Sequence, residues 1–122
     1  MRKLAMLGAI YGALGVILGA FGAHGLQGVL DETALRVWHT AVEYQLWHAP
    51  ALLVAAFVLP PSRAQRASAW AFALGIALFS GSLYALALGA PHFVGAITPC
   101  GGLALIAGWA AAALSCRHLR RD

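Results

Sequence analysis

An all-α membrane protein is what this sequence predicts, and three observations predict it. Of the 122 residues, 61% are hydrophobic and only 10% carry charge, where soluble domains carry charge on roughly a quarter of their residues. So small a globule has too little interior to hide that excess. All but Arg36 of the eight cationic side chains fall in three clusters: Arg2 and Lys3, then Arg63 and Arg66, then Arg117, Arg120 and Arg121. Each interval between clusters is long enough for two crossings, since spanning a bilayer takes about 20 apolar residues. Two crossings per interval return every cluster to the same side, which the positive-inside rule makes the cytoplasm. The expected fold is therefore an integral-membrane, antiparallel four-helix bundle with both termini cytoplasmic, and the whole chain forms one transmembrane domain.

The expected spans cover about 4–23, 39–59, 68–90 and 99–116. The first follows Arg2-Lys3 and ends in small residues around Ala20 to Ala23, a pattern that imitates a secretory signal. Its apolar run is longer than a signal core, so a retained span is expected. The connection after it carries Gly25, Gly28 and a helix start at Asp31, whose carboxylate can accept backbone N–H groups, with Glu32 well placed in the first turn. Pro60-Pro61-Ser62-Arg63 makes a short cytoplasmic turn that proline keeps from continuing as helix. Pro91, His92 and Gly95 mark the third connection, and Thr98-Pro99 reads as N-cap and first helical residue of the last span.

Small residues predict how the helices meet. Gly8, Gly12, Gly15, Gly19 and Gly22 follow steps of four and three, which lines them along one face of the first span. Gly101, Ala104, Gly108, Ala111 and Ser115 repeat the device on the fourth, and Ala69, Ala73, Ala77 and Gly81 on the third. In lipid no hydrophobic force draws helices together, so close van der Waals contact at such faces supplies much of the association.

The second span holds the most suggestive chemistry. At about 100° per residue, Glu32, Arg36, His39, Glu43 and Trp47 fall within an arc of roughly 80°, which Thr40, Tyr44 and His48 extend. Leu35, Trp38, Val42, Leu46 and Ala49 take the opposite face, which can meet lipid. Gln45 departs from this division and needs a partner. Ionisable groups inside membranes are costly and mark either internal glue or a solute, ion or proton route. Pro50 cannot donate to the carbonyl of Leu46, and Ser80, Ser82 or Tyr84 on the third span are expected to supply a donor. His24, Arg36, His39, Glu43, Tyr44, Gln45, His48, Ser80, Ser82, Tyr84 and Thr98 form the candidate polar pocket, in the outer half of the bundle.

Other chemistries are excluded or weak. The net charge of +4 sits at the ends of apolar runs, where it meets anionic headgroups rather than nucleic acid. Cys100 and Cys116, about 24 Å apart on one helix, are beyond disulfide reach. His39 and His48 lie on opposite faces, and no second span offers an axial partner for a haem. A metal site would require His24, His39 and His92 to converge with Glu43. No cofactor is implied, and no nucleophile elbow, phosphate loop or dinucleotide fingerprint is present.

Four ordered segments carry a family resemblance that covers nearly the whole chain. They are Gly19-Ala20-Phe21-Gly22-Ala23-His24-Gly25-Leu26; Thr40-Ala41-Val42-Glu43-Tyr44-Gln45 with His48-Ala49; Phe79-Ser80-Gly81-Ser82-Leu83-Tyr84 with Leu86-Ala87-Leu88; and Ile97-Thr98-Pro99 with Gly101-Gly102 and Gly108-Trp109. The chain thereby resembles the small bacterial inner-membrane family called domain of unknown function 423, itself similar to a small mitochondrial transmembrane protein of animals. The resemblance implies four transmembrane helices and a multi-pass location in the bacterial inner membrane. It supplies no reaction, substrate or cofactor. Pro50 stands where the family pattern commonly has leucine after His-Ala.

Three functions follow as expectations. The first is a non-enzymatic protein whose polar core binds a lipid, a small amphiphile or a partner helix, in a homo-oligomer or as an accessory part of a larger membrane complex. The second is a small-solute or proton-coupled transporter using Glu43, His39 and His48, which in so short a bundle requires oligomers. The third is a metal- or haem-binding membrane protein.

Overall fold

The computed structural model describes residues 1–119, so Arg120 and Arg121 of the third basic cluster lie outside the described residues. Four long helices account for most of the chain: α1 Arg2–His24, α2 Glu32–Phe57, α3 Arg63–Ala87 and α4 Ile97–Ser115. A 3-10 turn, His92–Ala96, leads directly into α4, and another, Cys116–His118, follows it. Helix α4 therefore begins one residue before Thr98, with Ala96 rather than Thr98 at its N-cap. Thr98 cannot cap because the preceding turn already aligns its backbone with the helix, and its hydroxyl meets Ser82 instead.

The starts of α2 and α3 are written in local chemistry. Asp31 accepts a hydrogen bond from the backbone N–H of Ala34 at 2.8 Å, and Ser62 accepts one from Gln65 at 3.0 Å. Each satisfies a donor that the first helical turn leaves without an intrahelical partner. Helix α3 stops beside Gly89, whose φ of 99° lies in the left-handed region that glycine enters without steric penalty.

Each helix packs mainly on its sequence neighbour, and successive helices run in opposite directions. Gly8 of α1 meets Ala49, Leu52 and Leu53 of α2, Gly15 meets Leu46, and Gly22 meets Trp38. Between α2 and α3, the amide of Gln65 reaches the carbonyl of Ala56, and Ser80 reaches that of Ala41. Between α3 and α4, Phe79 lies against Gly101 and Phe72 against Gly108. Helices α2 and α3 are central. The buried residues of α1 reduce to Leu4, Gly8, Gly15 and Gly22, and those of α4 to Gly101, Leu105, Gly108 and Ser115. A core of Leu52, Ala55, Ala56, Ala69, Phe72, Ala73 and Ile76 fills the α2–α3 contact.

Three helical segments, Arg2–Ala23, Arg63–Ala87 and His92–His118, are long and apolar enough to cross a membrane. Four spans were expected. Helix α2 misses on composition rather than length, because Glu32, Arg36, His39, Glu43, Gln45 and His48 interrupt its apolar residues. At 26 residues it extends about 39 Å, more than a hydrocarbon core of about 30 Å.

Candidate functional site

The apolar face of α2, expected to meet lipid, is the face turned inward. Trp38, Val42, Ala49 and Leu52 are buried, while Glu32, Arg36, His39, Glu43 and Trp47 are exposed. The physical reason lies on α1. Its glycines form notches, and Trp38, Val42 and Leu46 seat in them at Gly22, Gly19 and Gly15. A methyl group on Gly22 would lie 2.6 Å from Trp38 Cδ1, so the indole occupies the space a side chain would need. Trp38 Nε1 also donates to the carbonyl of Leu18 at 2.9 Å. Orientation is thus set by fitting bulky residues into notches, and the charged residues take the face left over.

Gln45 joins three helices. Its Nε2 donates to the carbonyl of Tyr11 on α1 at 2.8 Å, and its Oε1 accepts from Tyr84 Oη on α3 at 2.7 Å. The assignment is unambiguous, because a backbone carbonyl can only accept. Tyr11 Oη in turn donates to the carbonyl of Ala73 at 3.0 Å, and Tyr84 packs edge-on against Trp38.

His48 makes a second link. Trp109 Nε1 on α4 donates to His48 Nε2 at 3.0 Å, while His48 Nδ1 lies 2.7 Å from the carbonyl of Tyr44. An indole N–H only donates, so Nε2 is the acceptor and Nδ1 carries the proton. His48 is here the neutral Nδ1–H tautomer, with both nitrogens engaged. Tyr44 stacks on its ring, and Phe72 lies beside it.

The serines also bond to protein. Ser80 donates to the carbonyl of Ala41 at 2.7 Å; Ser82 donates to that of Phe79 at 2.9 Å and lies 2.6 Å from Thr98 Oγ1. The expected donors to the carbonyl of Leu46, Ser80, Ser82 and Tyr84, are therefore all committed elsewhere. Helix α2 nevertheless continues through Pro50. Among the described residues every buried side-chain nitrogen or oxygen has a partner.

The structure thus divides the predicted site. Tyr44, Gln45, His48, Ser80, Ser82, Tyr84 and Thr98 belong to contacts between or within helices. His24, Arg36, His39 and Glu43 are exposed. The histidines do not converge: among the described residues no three of His, Cys, Asp and Glu stand where they could hold a metal ion. Tyr11 and Trp109 complete the network and were not expected in it. Their signal in the sequence is a polar-tipped aromatic on a helix whose inward face carries repeated glycines.

Neither of the two cavities described is lined by the predicted polar residues. One is a groove of about 370 Å³, open on one side, between α2 and α4, with Phe72 of α3 at its floor. Ala51, Val54, Ala55 and Leu59 line one wall, and Trp109, Ala112, Ala113 and Cys116 the other. Its end beside Cys116 lies where Ser115 Oγ approaches Ser62 Oγ at 3.5 Å and the carbonyl of Pro60 at 3.3 Å. That contact brings the segments carrying Arg63 and Arg117 together near the Leu59 and Cys116 end of the groove.

Residues 18–102 match the family described as "Protein of unknown function (DUF423)". The chain belongs to that family. The matched region holds the first three motif segments whole and the opening of the fourth, from Ile97 to Gly102. Relatives of this DUF423 protein are similar along almost their full length. The "UPF0382 membrane protein YwdK" of Bacillus subtilis is 46% identical over 112 residues, covering 89% of this chain and 91% of its own. A "UPF0382 membrane protein" of Haemophilus influenzae is 44% identical, with 88% of each chain covered. The "UPF0382 inner membrane protein YgdD" of Escherichia coli is 37% identical, covering 98% of this chain and 93% of its own. No solved structure matches. The DUF423 protein is accordingly a membrane protein of all-helical fold.

Proposed function

We propose that this DUF423 protein is a non-enzymatic, multi-pass protein of the bacterial inner membrane that holds an acyl chain of an anionic phospholipid in the α2–α4 groove. In this reading all four helices cross the bilayer as an antiparallel bundle packed through its glycine faces, with both termini cytoplasmic. Helix α2 crosses despite its polar composition, because α1, α3 and α4 supply partners for its inward polar groups.

The observation that carries the proposal is the groove itself. Its volume of about 370 Å³ falls within the roughly 300–1,000 Å³ of small-molecule sites, and its lining is apolar apart from the thiol of Cys116. The basic segments near its Leu59 and Cys116 end suit a phosphate headgroup in the cytoplasmic leaflet, where anionic lipids attract clustered arginine. Internal bonding of Gln45, His48, Ser80 and Ser82 supports a binding or accessory role over chemistry at those groups.

Native mass spectrometry after extraction in a gentle detergent tests this. The intact protein is expected to retain a phospholipid adduct. Ala112→Trp, which fills the groove from α4, is expected to lose most of it while the protein stays folded. Arg63→Gln combined with Arg117→Gln is expected to shift the retained lipid away from anionic classes. An adduct equally abundant in the Ala112→Trp protein would refute the groove as its site.

A further inference from the structure

We propose that the indole of Trp109, held by His48, is a stop that sets how much of an acyl chain the α2–α4 groove takes in. The inference rests on the lipid-binding reading of that groove and deepens it, naming chain length as the property selected and the residues that select it. Helices α2 and α4 run the same way. Ala51 and Trp109, the first lining residue of each, therefore lie at one end of the groove, and Leu59 and Cys116, the last, at the other.

Past Ala51 the cleft between the two helices is closed. His48, one turn before Ala51, accepts the indole N–H of Trp109 at 3.0 Å. The rings of His48, Phe72 and Trp109 stand 5.0–5.8 Å apart, centre to centre. One ring from each of α2, α3 and α4 thus meets at that end.

This plug is fixed in place. His48 Nδ1 is tied to the carbonyl of Tyr44 at 2.7 Å. Phe72 sits in the notch of Gly108, where an added methyl would lie 2.7 Å from its ring, and Ser68 holds the carbonyl of Gly108 at 2.8 Å. Trp109 has a bonded partner on α2 and a packed one on α3, so a chain end arriving from the cytoplasmic side meets a wall. His48 does not line the groove and is a positioning residue; Trp109 is the group the chain touches.

The geometry sets a length. Cys116 lies seven residues after Trp109, which is about 10 Å of helix. One leaflet of hydrocarbon is about 15 Å deep, half of the whole core. A chain entering beside Cys116 reaches the rings before it has run through its leaflet, and the remainder turns out through the open side into lipid. Within a membrane, entering the groove gains van der Waals contact rather than hydrophobic transfer. Methylenes inside the groove therefore add to retention, and those past the stop do not.

Native mass spectrometry with synthetic phosphatidylglycerols of one acyl length each, hexanoyl to palmitoyl, tests the stop. Dividing each variant's adduct by that of wild type for the same lipid cancels the lipid's partition into the micelle. On this scale Trp109→Ala is expected to raise the palmitoyl-to-hexanoyl ratio roughly fivefold, because further methylenes find contacts in the vacated space. His48→Leu, which frees the indole without altering the lining, is expected to shift the ratio the same way by less. Ala51→Phe adds bulk at the same end and is expected to lower the ratio several-fold. It opens no cavity, so it decides the question should Trp109→Ala fail to fold. Equal ratios in all the proteins, or shifts of one sign in Trp109→Ala and Ala51→Phe, would overturn the stop. A His48→Leu ratio equal to that of wild type would overturn the positioning role. If Ala112→Trp still loses the adduct in those cases, the groove reading stands without the stop; a wild type that retains no lipid of any length removes both.

Discussion

Gly101→Ala places one methyl group against backbone rather than side chain, and its cost follows from the geometry. The added Cβ would lie 2.7 Å from the Cα of Phe79 and 2.8 Å from the carbonyl carbon of Leu78, and closer still to the Phe79 nitrogen. Ordinary contact for such an atom begins at 3.4 Å. Helix α4 must therefore move off α3 by at least about 0.7 Å, because a helical backbone has no rotamer with which to yield. Ser68 donates to the carbonyl of Gly108 at 2.8 Å, and Ser82 meets Thr98 at 2.6 Å; both contacts flank the displaced stretch. Overpacking of this kind costs about 1–3 kcal/mol, with the backbone clash placing it toward the upper end. Alanine recovers about 1 kcal/mol of helix propensity, leaving a net loss of about 2 kcal/mol. Gly81→Ala is the matched control: nothing lies within 4 Å of its Cβ, so only the propensity gain of up to about 1 kcal/mol remains. Unfolding of purified protein in mixed micelles, followed by tryptophan fluorescence, should rank Gly81→Ala at or above wild type and Gly101→Ala clearly below. Equal stability of the two variants would refute the claim that α3 and α4 meet backbone to backbone at Gly101.

Two further outcomes are expected from the same assay. Gln45→Ala should destabilise by about 1–3 kcal/mol, since it strands the hydroxyl of Tyr84 and removes a donor from the carbonyl of Tyr11; a double-mutant cycle with Tyr84→Phe should give a coupling of about 0.6–1.7 kcal/mol, the range of interhelical hydrogen bonds in membranes. Asp31→Ala should cost about 1 kcal/mol by removing the N-cap of α2, and Asp31→Asn should restore most of it. Additivity in the cycle, or a failure of asparagine to rescue, would count against the respective assignment.

Much of the architecture was legible because local rules decide it. Asp31 marks its helix start by side-chain chemistry alone, and the paired prolines at 60 and 61 separate α2 from α3. The orientation of α2 was not legible in the same way. A helical wheel divides its residues into two faces, but against lipid neither face is pulled inward by hydrophobicity alone. What decides is complementarity with another segment: the knobs Trp38, Val42 and Leu46 recur at four-residue intervals and answer the notches of α1. The information is present in the sequence, but only as a match between two helices. The polar network hid for a related reason. Gln45 visibly needed partners, yet Tyr11 reaches it through a main-chain carbonyl, which every residue possesses and no side-chain pattern announces.

The packing of each helix on its sequence neighbours has a consequence for biosynthesis. Each helix after the first packs against the one made immediately before it, so the nascent polypeptide can close its contacts in the order in which they leave the ribosome. The first hairpin needs nothing from the C-terminal half to fit bulk into indentation. The last helix arrives at a platform already built, and Trp109 secures it there by finding the waiting imidazole.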